Sequence, residues 1–144
     1  MALSGQRTTD RRGDYHFVGD APVKANAIVY HGSLAAIDST GYVIPGAAST
    51  TLYRPGRFNA GPMRTKIDAT GLASGAKTGV IEYGTFLWKN SASTDAITVA
   101  ERGDSCYIVD DETVAKTSGS STRSVAGTIQ DVTSDGVWVF MPKL

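Results

Sequence analysis

The sequence predicts an all-β protein: a compact sandwich or barrel of short strands with an extended N-terminal arm. Three observations predict it. Val, Ile and Thr total 36 of the 144 residues, against 20 for Leu, Glu, Lys, Gln and Met together. β-branched side chains fit a pleated surface and lose rotamer freedom in helices. The 16 glycines exceed the usual share of about 7% and mark turns rather than helix interiors. Turn signals also recur at roughly eight-to-twelve-residue spacing, the rhythm of a sandwich or barrel.

Residues 1–14 are polar and lack apolar periodicity, and Arg7, Asp10, Arg11, Arg12 and Asp14 alternate in sign. Such a stretch cannot offset its own ordering entropy, so it is expected to be mobile in isolation. Tyr15–Val18 is a first short strand, and Gly19-Asp20-Ala21-Pro22 ends the arm. The chain thus divides into an arm over 1–22 and a β-rich body over 23–144. Within the body, Ala27–Tyr30, Leu34–Ile37 and Tyr42–Ile44 read as strands separated by His31-Gly32, Asp38–Gly41 and Pro45-Gly46. Ala47–Pro62 is weakly patterned, Met63–Asp68 is strand-compatible, and glycine-rich Ala69–Gly79 is a surface loop.

The second half is better patterned. Val80–Trp88 places Ile81, Tyr83 and Leu87 on one face and Phe86 and Trp88 on the other. A strand apolar on both faces lies between two layers or contacts another subunit. Ala96–Val99 and Cys106–Val109 are further strands, the latter running into an Asp110-Asp111 turn. Ser124–Val132 pairs with Val137–Met141 across Thr133-Ser134-Asp135-Gly136, because Asp-Gly before a strand is a strong hairpin cue.

Composition narrows the function. The 14 basic and 14 acidic residues cancel, so bulk charge recruits neither nucleic acid nor an anionic membrane. No apolar run approaches the ~18–20 residues of a membrane span, and residues 1–7 lack the apolar stretch of a secretory signal. The chain is expected to be soluble and to fold in, or assemble from, the cytoplasm. One cysteine, Cys106, excludes an internal disulfide framework and a multi-cysteine zinc site. Charge divides along the chain: residues 1–66 sum to +4 and residues 67–144 to −4. Chance scatter explains this, as does complementary contact between copies or between the arm and an acidic partner.

Catalytic constellations do not assemble. His16 and His31 are the only histidines, no serine lies in a Gly-x-Ser-x-Gly elbow, and no phosphate-binding or dinucleotide fingerprint occurs. His31 beside its turn reads as a satisfied or exposed histidine. Asp110-Asp111-Glu112 reads as a solvated turn, since consecutive acids diverge rather than converge on a cation. Cys106, in an apolar strand without an adjacent base, reads as a buried structural thiol. Arg12-Gly13-Asp14 and Arg102-Gly103-Asp104 read as turns rather than adhesion signals. The chain is therefore expected not to be an enzyme, with no catalytic residue, metal or cofactor.

The run Gly103–Ala115, continuing through Thr122–Ile129 to Asp135–Val139, resembles the small head-decoration, or cement, proteins of tailed bacteriophages. Val23–Gly32 and Gly41–Gly46 fit the same picture, so the resemblance covers most of the chain after residue 22, as a pattern of strands and turns. It leaves Thr51–Asp68 unplaced. The resemblance implies a β-rich decoration domain, usually trimeric, on the outer surface of the phage head in the virion. It implies the major capsid protein as partner, no direct nucleic acid, no membrane and no catalysis.

On this reading the 22-residue arm, able to span about 75 Å, docks on the capsid. Arg11 and Arg12 meet an acidic surface, and Tyr15, His16 and Phe17 complete the contact; strand addition supplies backbone hydrogen bonds. Phe86, Trp88, Trp138 and Phe140 are core residues by default and a subunit interface where they face out. Two rivals remain. One is a tail- or fibre-associated module recognising a host surface through the loops Gly71–Gly79 and Ser118–Thr122. The other is a small β-barrel enzyme, for which no paired carboxylates or histidine network can be placed.

Overall fold

The computed structural model describes residues 2–143, apart from the side chains of residues 13–16 and 18. Eleven strands form along them: β1 (Arg11–Pro22), β2 (Ile28–Tyr30), β3 (Leu34–Ile37), β4 (Val43–Pro45), β5 (Tyr53–Asn59), β6 (Lys66–Asp68), β7 (Thr78–Asn90), β8 (Ser105–Ile108), β9 (Thr113–Ala115), β10 (Val125–Thr133) and β11 (Gly136–Met141). The all-β prediction of a compact barrel or sandwich of short strands holds. No helix among the described residues is long and apolar enough to cross a membrane.

The longest strand, β7, organises the rest. Its second half takes part in a closed ring: β7 pairs with β9, β9 with β8, β8 with β10, β10 with β11, and β11 returns to β7. Closure leaves these strands no free edge along the ring. The first half of β7 pairs with β1 on one side and β5 on the other, and β5 leads through β3 to β4. A single bridge, Val23 to Val43, brings β4 back to the end of β1. The short pair β2–β6 is a separate two-stranded sheet.

The alternation in β7 serves these two regions. Phe86 and Trp88 point into the ring, where Ile97, Cys106, Ile108, Ile129, Val137, Val139 and Met141 pack with them. Ile81 and Tyr83 point into a second core with Val29, Val43, Phe58 and Ile67. The doubly apolar strand therefore lies between two packed layers of one chain. In β3, Leu34 and Ala36 join the first core and Ala35 the second, as period-2 side chains must.

The predicted β10–β11 hairpin forms, Thr133 opposite Gly136. Gly136 also faces β7: a Cβ there would lie 2.3 Å from the Trp88 carbonyl oxygen. Glycine at this position thus permits ring closure as well as the turn.

Four local expectations are corrected. Ala96–Val99 is not a strand. Val99–Glu101 forms a 3-10 turn in which Thr98 and Glu101 cap each other, and Ile97 is held by both polar atoms of the Asn90 amide. The weakly patterned Ala47–Pro62 contains strand β5. Arg12-Gly13-Asp14 lies within β1 rather than a turn, whereas Arg102-Gly103-Asp104 is a turn with Gly103 at φ +93°. The Asp110–Glu112 turn is not solvated, because Asp111 and Glu112 are buried beneath the N-terminal segment.

Candidate functional site

The N-terminal segment is wrapped on the body. The Leu3 N–H donates to Asp111 Oδ1 at 2.8 Å, and the Arg7 N–H to the His31 carbonyl at 2.8 Å. The half-buried Arg7 guanidinium lies 5.3 Å from the Trp88 ring centroid and donates to Thr9 Oγ1 and the Leu87 carbonyl. Burial pulls its pKa down from the ordinary arginine value, while Glu112, Asp10 and Asp111 push it back up; it stays a cation. Thr9 is buried, donates to the Gly32 carbonyl, and accepts through its own carbonyl from Arg57. Gly32, at φ +82°, permits this contact: a Cβ there would stand 1.8 Å from the Arg7 carbonyl oxygen. The ordering entropy expected to keep residues 1–14 loose is offset by charged and backbone hydrogen bonds, which apolar periodicity does not reveal.

Beyond Thr9 the chain becomes β1, antiparallel to β7, with register shifts between Arg12 and His16 and between Val18 and Ala21. Among the described residues no strand pairs with the outer edge of β1. Of the residues expected to meet a capsid, Arg11 is exposed and lies opposite Phe86 in the ladder. Arg12 stacks 4.0 Å from the Trp138 ring centroid and pairs with Asp131 at 3.4 Å. Phe17 is 59% exposed. The side chains of Tyr15 and His16 lie outside the described residues.

The aromatic set divides. Phe86 and Trp88 are fully buried in the ring core, edge to face with centroids 6.4 Å apart, so neither is available to a second copy. Trp138 is half-buried under Arg12, and Phe140 is 44% exposed on the outside of the ring. Arg12–Asp131 and Arg57–Glu82 join the basic first half to the acidic second half within one chain. The charge division thus has intramolecular partners.

The chemical candidates are engaged structurally. His31 Nδ1 accepts from the Ala60 N–H at 3.1 Å. Burial pushes the Cys106 thiol up to about 12, which suppresses the nucleophilic thiolate at neutral pH. Burial also raises the Asp111 carboxyl, against the hydrogen bond from Leu3. Among the described residues no three His, Cys, Asp or Glu side chains converge as metal ligands.

Sequence reasoning missed an open apolar groove of 480 Å³ between β5 and the β8–β10 pair. Leu52 and Ala126 form its buried floor, Tyr53 and Val125 stand exposed on its flanks, and Pro55 and Pro142 contribute its walls. Thr128, which also lines it, lies directly opposite the exposed Phe140 in the β10–β11 ladder. Arg54 reaches the rim in a left-handed conformation, φ +48°. The Tyr53-Arg54-Pro55 step was the available signal, since proline restricts the residue before it.

Compared with known proteins, the chain matches no protein-family model, no curated protein and no solved structure.

Proposed function

We propose that this chain is a structural head-decoration protein of a tailed bacteriophage. On this reading it binds the outer surface of the capsid as a trimer and braces neighbouring major capsid protein subunits. The observation that carries the reading is β1, a twelve-residue strand anchored along one edge to β7 and open along the other. An open edge offers backbone donors and acceptors to an incoming strand. Phe17 supplies exposed apolar area beside it. The anchored edge matters equally, since a clamp transmits load only when its contact strand is fixed to the body. Three copies in one trimer would multiply a modest single-site affinity through effective concentration. The resemblance of Gly103–Ala115, Thr122–Ile129 and Asp135–Val139 to decoration proteins points the same way, and His31 and Cys106 are engaged in a backbone contact and in core packing.

Copy number tests the reading. Quantitative mass spectrometry of purified virions is expected to find hundreds of copies, near shell stoichiometry, with density for the chain on the head. A few to dozens of copies on the tail would replace it with the host-recognition module. Adding purified chain to undecorated heads is expected to raise their resistance to heat, and Phe17→Asp to reduce occupancy on them.

A further inference from the structure

We propose that the groove between β5 and β10 docks an extended segment of a partner protein that presents a carboxylate among apolar side chains. The groove's volume, 480 Å³, falls in the ~300–1,000 Å³ range of sites that enclose a small ligand or a few side chains. Folding leaves Tyr53 49% and Val125 48% exposed on its two flanks, above a floor of buried Leu52 and Ala126. This apolar surface is contiguous rather than scattered.

The cation at the rim defines the partner. Arg7, Arg12, Arg57 and Arg123 each donate to a carboxylate, hydroxyl or carbonyl of the chain itself. Among the described residues no carboxylate pairs with Arg54. A guanidinium beside a desolvating apolar trough favours a carboxylate, which it can bind through two parallel hydrogen bonds. The backbone sharpens the point. Arg54 is left-handed and precedes Pro55, and both features disfavour a residue with a Cβ. The buried Tyr83 fixes this conformation, its hydroxyl donating to the Arg54 carbonyl at 3.1 Å. Glycine would relieve the strain, yet arginine is present, so the side chain has a use that offsets its backbone cost.

The full-length chain can be tested by panning it against a random dodecapeptide library. Enriched peptides are expected to carry Asp or Glu flanked by Leu, Ile or Phe. A synthetic consensus peptide should bind at least about tenfold more weakly to the Arg54→Gly and Val125→Asp chains. Arg54→Gly should at the same time raise Tm by about 2–5 °C through relief of strain, which separates lost binding from lost folding. Three results would overturn the proposal: no enrichment of acidic-apolar sequences; binding indifferent to both variants; or a concentration-dependent dimer abolished by Val125→Asp, which would assign the groove to a second copy.

Discussion

The two cores flanking β7 are closed in different ways. Around Trp88, five strands complete a hydrogen-bonded ring, and the interior is filled by large side chains: Phe86, Ile108, Ile129 and Met141 beside the indole. Around Ile81 four alanines, Ala21, Ala35, Ala60 and Ala69, pack among Val29, Val43, Ile67, Phe58 and Tyr83. There closure rests on one bridge, Val23 to Val43, and on polar contacts such as Lys24 with Asp38. The N-terminal segment runs outside both. A ladder distributes closure over many backbone bonds, whereas the second region depends on a few identifiable contacts. The first should fail only when its interior is emptied, and the second when a single group is altered.

Emptying the ring gives the largest effect. Trp88→Ala removes a fully buried indole whose Nε1 donates to Met141 Sδ at 3.3 Å, and is expected to cost about 3–5 kcal/mol. Urea unfolding followed by circular dichroism measures this; a loss below about 1 kcal/mol would contradict the assigned core. Gly32→Ala comes next. Its Cβ collides with the Arg7 carbonyl, at an expected cost of about 1–3 kcal/mol. Limited proteolysis should then cut the chain faster near Arg7 and Arg11 than it cuts wild type. Cleavage at the wild-type rate would mean that the segment is not seated by this contact.

The smallest effect is confined to acid pH. Asp38 ionises more readily than usual: although burial opposes its charge, hydrogen bonds from Lys24, from Thr40 and from the Tyr42 N–H favour the carboxylate. A depressed folded-state pKa contributes stability that is present above the unfolded value, ~3.8, and is lost as pH falls below it toward the folded value. Wild type should therefore lose stability on acidification from pH 5 to pH 2 more steeply than Asp38→Asn. Parallel urea midpoints across that range would remove this contact from the account of closure.

Much of the fold was legible. Alternation in Val80–Trp88 placed Ile81 and Tyr83 opposite Phe86 and Trp88, and Asp135-Gly136 located the last hairpin. What escaped were features fixed by tertiary contact. Strand β5 carries Pro55 and Gly56, poor strand residues; it forms because Gly56 lets β5 approach β7, a Cβ there falling 2.5 Å from the Glu82 carbonyl oxygen. Ile97 has strand neighbours, but the Asn90 side chain takes its backbone groups. Of the candidate site, Arg12 and Phe17 were legible as polar and apolar residues of the N-terminal segment. The rim position of Arg54 was not, because it arises from a backbone angle and from Val125, distant in sequence.

The sharing of β7 has a mechanical consequence. Tension applied along β1 would act parallel to both strands, loading the rungs between β1 and β7 in shear, together, rather than unzipping them in turn. The far half of the same β7 backbone is a stave of the ring. A pull arriving at the edge of the molecule therefore passes into the ring without crossing a loop.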